Sequence, residues 1–314
     1  MTTATSTLLN QISAIRVWQT GKARAPHKPL LLLAVLGRIQ RGITGLHPFA
    51  ELEEAVAPVL EDHAPTQTTK PQVRHPFWYL RSDGLWEIPN ADAMELQVGG
   101  FPKAAAFGSA QGRLPRSIEQ VLIGDPNLLE QAVHRLLCEH FPETLHADLR
   151  QRLGLAEAGL ITAPTDHLSV GESAPAYRVA RRDPNFRRKV LQAYEHRCAV
   201  SGFRAALDGR YFGVEAAHVH WHAHGGPDQI DNGLALNPLL HLLFDRGAWS
   251  LTDDLRIIVS SRVTGDDETT KNLRAHHGKK LSEPLPGYAK PNRQFIHWHR
   301  EGAGGVFRAP ALGL

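Results

Sequence analysis

Residues 214–247, VEAAHVHWHAHGGPDQIDNGLALNPLLHLLFDRG, concentrate the side chains that hydrolytic chemistry uses. Four histidines fall between positions 218 and 224, Asn232 follows, and His241 comes nine residues later. His241 and Asp245 stand four apart, so on a helix they share one face and can hold one ion between them. Imidazole, carboxylate and water together suit Mg2+, Mn2+, Ni2+ or Zn2+, and the residue types do not choose among these. A histidine beside such an ion can deprotonate a water that attacks phosphorus, while the ion stabilises the leaving oxygen.

The elements that must position these groups can be read from pattern. The run FRAALDGRYFGVEAAHV predicts a β-hairpin turning at Asp208-Gly209, with His218 at the end of its second strand. NPLLHLLFDRG predicts a short helix carrying His241 and Asp245. Upstream, Asp183 is a candidate N-cap with Pro184 at the first helical position, and Phe186, Val190, Leu191 and Tyr194 recur at helical spacing. Gly225, Gly226 and Asp231 are expected to shape the loop. His220, His222 and His224 are expected to be solvated on it, and Cys198 to pack in the core.

At 314 residues the chain is long for one core, so two domains are expected. Hydrophobic and charged contents of 42% and 21% fit an ordinary globular protein. The longest aliphatic run, residues 30–36, is too short to span a bilayer. The first residues lack a basic segment followed by an apolar one. Two cysteines make neither a disulfide framework nor a zinc cluster by themselves. A cytoplasmic protein without a membrane partner is the expectation. A net charge of +3 permits a nucleic-acid partner without requiring one.

The first half reads as a helix over 8–18, then a buried helix in GKARAPHKPLLLLAVLGRIQRG. Pro29 sits in its first turn, Leu30, Leu33, Val35, Leu36 and Ile39 are buried, and Gly42 stops it. RHPFWYLRSDGLWEI predicts two short strands around an Asp83-Gly84 turn, and Phe77, Trp78 and Trp86 read as core aromatics. Helices over 127–139 and 143–153 follow, then a stretch rich in Gly, Pro, Ser and Thr. These boundaries give a domain over 1–160, a linker over 161–182 and a domain over 183–314.

The pattern EAAHV…GGPDQIDNGLALNPLLHLLFDRG resembles the HNH nucleases, the ββα-metal family, over residues 186–260. The resemblance implies that His218 is the general base, that Asn232 braces the loop and orients His218, and that His241 is a catalytic metal ligand. Asp245 falls where the family places a second helical ligand. Ala217 stands where many members carry a ligand, and Glu215 or a loop histidine, His220 or His222, is expected to replace it. Some members carry paired CxxC motifs near Cys198; this chain has no such pair, so no structural zinc is expected.

Basic groups gather at two places in the first half. Lys22, Arg24, His27 and Lys28 precede one helix, and Arg74, His75 and Arg81 flank PFWY. A helix start with such groups suits phosphate, and neighbouring proline and aromatic side chains add apolar surface. RAPHKPLLLLAVLGRI, HPFWYLRSDGLWEI and AAFG resemble the DNA sulfur-binding domain, which bacterial enzymes fuse to HNH nucleases to restrict phosphorothioate-modified DNA.

That resemblance implies an α+β protein, with a mixed α/β sulfur-binding-like domain before an HNH domain. His75, Pro76 and Tyr79 would line the sulfur pocket, and Arg24, His27, Lys28 and Arg74 would hold phosphates or base edges. The family often has tyrosine where His75 stands and a small residue where Tyr79 stands. Sulfur in place of a non-bridging oxygen is larger and less hydrated, so an apolar pocket accepts it and penalises a buried, unpaired oxygen.

The expectation is a type IV restriction endonuclease acting on double-stranded DNA with a divalent metal. One HNH site cuts one strand, so a homodimer is expected. Two other readings stand beside it. One is an HNH nuclease for a modified base such as 5-methylcytosine, which needs a deep pocket for a flipped base. The other is a DNA-binding protein with an inactive HNH domain.

Overall fold

The computed structural model describes residues 2–17, 19–20, 23–63, 72–156, 184–301 and 306–308. The N-terminal half runs α1 (Thr2–Ser13), β1 (Gln19–Thr20), β2 (Ala23–Arg24), α2 (His27–Gln40), β3 (His47–Pro48), α3 (Phe49–His63), α4 (Arg74–Tyr79), β4 (Gln111–Gly112), α5 (Arg116–Gly124), α6 (Pro126–His140) and α7 (His146–Arg152). Helix α2 is the axis. It buries Pro29, residues 30–37 and Ile39, because α1, α3, α4 and α6 all pack on it or on one another. Pro29 is tolerated because an N–H in the first turn has no intrahelical acceptor to lose. Leu30, Leu31 and Leu33 are fully buried, each stabilising the fold by about 1.5–3 kcal/mol. Leu33→Ala would cost about 2–5 kcal/mol. Helix α6 starts where Asp125 accepts a bond from the Leu128 N–H, with Pro126 at the first position.

Two expectations are corrected in this half. The helix expected over 8–18 lies earlier, at Thr2–Ser13. The Arg16 N–H donates to Asp83 Oδ1 at 3.1 Å rather than back along a helix, which draws the chain away. Trp18 lies outside the described residues. The first of the two strands expected around Asp83-Gly84 is instead α4 and a following 3-10 turn, Leu80–Asp83, and the second is reduced to a single antiparallel bridge, Glu87 with Arg113. Val73, Phe77 and Leu80 are buried, a spacing of four and three that a helix satisfies and a strand does not. Gly84, at φ +70°, ends the turn in the left-handed region where glycine is least strained.

The C-terminal half runs α8 (Pro184–Ala193), β5 (Ala205–Leu207), β6 (Arg210–Phe212), β7 (Glu215–His218), β8 (Gly233–Leu236), α9 (Pro238–Asp245), β9 (Trp249–Leu251), β10 (Ile257–Val259), α10 (Glu268–Ala275) and α11 (Arg293–Arg300). The Asp208-Gly209 hairpin forms between β5 and β6, but its second strand ends at Phe212, where Gly213 at φ +72° breaks the extended run, so His218 ends the separate strand β7 rather than the hairpin. Strands β7 and β8 pair antiparallel, with Glu215 opposite Leu236 and His218 opposite Gly233. Helix α9 follows directly, capped by Asn237, which accepts from the Leu240 N–H at 2.9 Å. Among the described residues the sheets are antiparallel pairs set among helices, an α+β architecture. Asp183 and the expected linker, 161–182, lie outside the described residues.

The halves do not keep separate cores. Trp221, Trp298 and Val306 are buried in the same apolar cluster as α2 and α6, with Leu242 packed against it. A second cluster, including Val190, Cys198, Leu234, Phe244 and Trp249, fills the space between β7, β8, α8 and α9. Among the described residues no helix is long and apolar enough to cross a membrane.

Candidate nuclease and DNA-binding sites

Strand β7 and helix α9 bring Glu215, His241 and Asp245 into one line. His241 Nδ1 lies 2.7 Å from Glu215 Oε2, and its Nε2 lies 3.3 Å from Asp245 Oδ2. Side chains alternate along a strand, so Glu215 shares the face of Ala217, and its longer side chain reaches the imidazole that a methyl group cannot. Burial works to lower the His241 pKa, but Asp245 and Glu215 outweigh it and carry the group up to about 9. The bond from His241 in turn holds the Glu215 carboxyl below its usual range, against the opposite effect of burial.

Asp245 is 2% exposed, and both of its oxygens accept bonds. Trp221 Nε1 donates to Oδ1 at 2.9 Å, and Thr144 Oγ1 donates to Oδ2 at 2.5 Å. Among the described residues no group of three or more His, Cys, Asp or Glu side chains is arranged to hold a metal ion. The donor set nevertheless fits a divalent cation on two protein atoms, Glu215 Oε2 and His241 Nδ1. Asp245 sits behind the imidazole, the usual arrangement around a metal-bound histidine. Water or phosphate oxygens would complete the shell.

His218 is held separately, three residues further along β7. Its ring stacks on Phe186 of α8, with centroids 4.1 Å apart, and Nε2 lies 2.7 Å from Asp228 Oδ1. Asn232 holds the loop rather than that ring. Its Oδ1 accepts from the His220 N–H at 2.8 Å, and its Nδ2 donates to the carbonyls of His220 and Pro227. The orienting role expected of Asn232 toward the His218 ring is therefore filled by Asp228, which sequence reasoning missed. The GG-D spacing was the available signal: Gly226 lets the loop close, since a Cβ there would lie 1.8 Å from the His220 carbonyl oxygen.

The loop histidines also depart from expectation. His220 is buried and stacks on Trp298 at 4.2 Å, and the Nε2 of His224 reaches the His140 carbonyl at 3.2 Å. Trp298 of α11, with the His140 carbonyl at the end of α6, draws both rings away from solvent. His222 is partly buried too, near Asp228 with Nε2–Oδ2 3.9 Å.

In the N-terminal half, helix α4 places His75, Pro76 and Tyr79 on one short element, with Pro76 buried and Tyr79 48% exposed. Phe101, not singled out from the sequence, joins them: its ring is 4.9 Å from His75 and stacks on Tyr79 at 5.7 Å. Burial, then the nearby His75, lowers the His27 pKa to about 4, and its Nδ1 has no hydrogen-bond partner. His75 is lowered by burial and by Arg74. Arg74 donates to Gln72 and lies over Phe107. Lys28 is engaged with the buried Asp83, 2.5 Å away. Arg24 lies in β2, and its side chain is outside the described ones. Phe77 and Trp86 are buried and Trp78 is partly so, stacked under Arg81.

Residues 5–158 match the family model for the ScoMcrA-like DNA sulfur-binding domain, and residues 198–252 match that for an HNH endonuclease. Among curated proteins, none matches the chain. Solved structures that resemble it include the sulfur-binding domain of ScoMcrA complexed with phosphorothioated DNA, at 26% identity, 47% of this chain, 94% of that one and a TM-score of 0.43. The type IV phosphorothioation-dependent restriction endonuclease ScoMcrA aligns at 24% identity over 46% of this chain, with a TM-score of 0.41. The chain spans 32% of that enzyme's length. The modification-dependent TagI restriction endonuclease aligns at 26% identity over 42% of this chain and 40% of that one, with a TM-score of 0.30. The chain thus joins a member of the ScoMcrA-like DNA sulfur-binding domains, at its N-terminal end, to a member of the HNH endonucleases.

Proposed function

We propose that this protein is a modification-dependent restriction endonuclease that binds phosphorothioate-modified double-stranded DNA and hydrolyses nearby phosphodiester bonds with a divalent metal ion. One observation carries the reading: a single chain holds a DNA sulfur-binding domain and an HNH domain in which His218 and His241 are each paired to a carboxylate. The domain boundaries 1–160 and 183–314, a cytoplasmic location and a homodimer belong to the same proposal.

His218 acts as general base. With Nε2–H donating to Asp228, the lone pair of the neutral ring sits on Nδ1. Nδ1 takes the proton as the water oxygen attacks phosphorus and the bond to the leaving sugar oxygen breaks. Asp228 stabilises the imidazolium that results. Glu215 and His241 Nδ1 would hold the metal, and Asp245 orients His241 from behind. Such an ion would supply Lewis-acid stabilisation of developing negative charge. In the other half, His75, Pro76, Tyr79 and Phe101 offer an apolar, aromatic surface to sulfur, while Arg24, Arg74 and a neutral His27 donate to phosphates or base edges. Lys28 supports that surface through Asp83.

The test uses His218→Ala protein and pairs of duplexes identical but for one phosphorothioate linkage, across a panel of sequence contexts. Tighter binding to the sulfur duplex in at least one context is expected. No preference anywhere in the panel would overturn the sulfur reading and leave the nuclease reading to be tried on methylated duplexes.

A further inference from the structure

The carboxylate behind His241 is reached from the other half of the molecule. Thr144 stands in the 3-10 turn Glu143–Leu145, between α6 and α7 and inside the sulfur-binding domain match. Its hydroxyl donates to Asp245 Oδ2, the same oxygen that lies 3.3 Å from His241 Nε2. Trp221 alone would fix only Oδ1. With both oxygens bonded, the carboxylate cannot rotate without breaking a buried hydrogen bond, which carries a penalty of about 1–3 kcal/mol. The contact is part of a continuous seam. Arg246, next to Asp245, pairs with Asp148 of α7 at 2.7 Å, and the ring of His224 reaches the end of α6. Trp221 itself is packed into the apolar cluster around α2 and α6.

We propose that Thr144 is a positioning residue of the nuclease site: the sulfur-binding domain completes the metal-holding geometry by locking Asp245, and through it the ring of His241. The proposal rests on the metal-dependent nuclease reading above. Partners behind a metal-bound histidine set the ring's tautomer and orientation, and their loss weakens metal binding although they never touch the ion. The HNH half alone therefore lacks one member of its own site.

The experiment compares the full-length chain with Thr144→Val, which keeps the shape and removes the hydroxyl, and with Thr144→Ser, which keeps the hydroxyl. Asp148→Asn is the control, since it breaks the seam's ion pair without touching Asp245. Thr144→Ala replaces the valine variant if valine does not fold. Mn2+ alone is titrated by calorimetry, and kcat and KM are measured on a phosphorothioated duplex. Thr144→Val is expected to weaken Mn2+ binding about 10- to 100-fold and to lower kcat with KM unchanged, while Thr144→Ser restores both and Asp148→Asn binds Mn2+ as the wild type does. Wild-type Mn2+ affinity in Thr144→Val would overturn the proposal. So would an equal loss in Asp148→Asn, or a wild type that does not bind Mn2+. Normal Mn2+ behaviour across the series with no cleavage of sulfur duplexes would remove the functional reading and leave this one standing.

Discussion

His241 and His27 are both largely withdrawn from water, and their surroundings drive them to opposite charge states. Burial lowers the pKa of each. At His241 two carboxylates, Asp245 and Glu215, outweigh it and raise the group to about 9. At His27 nothing offsets it, and His75 adds to it, so the group falls to about 4. Burial alone therefore does not say what a histidine does; the charge of its neighbours does. Around His241 the two carboxylates favour a positive charge on the ring. At the N-terminal site His27 stays neutral, so it offers a hydrogen bond and no charge.

The sharpest way to break this division of labour is His218→Ala. Cleavage is expected to fall by about 10²–10⁴-fold, the usual contribution of a general base, with DNA binding retained. Cleavage at the wild-type rate would take the base role from His218.

A smaller effect is expected from pH. The His241 pKa is raised in the folded state, so its stabilisation is complete below about pH 6.5 and is lost as pH rises through about 9. The shift amounts to about 3 kcal/mol. Denaturant midpoints of metal-free protein between pH 6 and 10 should decline across that window, and Glu215→Gln should flatten the decline. A wild-type curve without the decline would mean that the carboxylates do not hold a proton on this ring.

The smallest effect sharpens the other side. Tyr79→Ala or Phe101→Ala should weaken binding to a phosphorothioate duplex about tenfold, or about 1.4 kcal/mol, and binding to the unmodified duplex less. Equal losses on both duplexes would place these rings outside any sulfur contact.

Much of the frame was legible in the sequence where local pattern and final packing agree. Helix α2 reads from its leucine run and Pro29, the β5–β6 hairpin from Asp208-Gly209, and α9 from Asn237-Pro238 before an apolar stretch. The PFWY segment misled because neighbouring aromatics can be counted at a period of two. What decided its fold was Val73, Phe77 and Leu80 meeting one core. At the site, His241 and Asp245 lie on one turn and Glu215 on the paired strand, so their proximity was within reach of pattern. Asp228 needed the path of a loop, and Thr144 needed a contact across 101 positions. No periodicity encodes either.

Trp221 and Trp298 lie in the C-terminal half of the sequence but pack with the N-terminal core. Swapping either half for that of a relative would leave these indoles facing a surface that did not evolve with them. Exchange of one half therefore bares two buried indoles unless the new partner brings its own apolar match for the two rings.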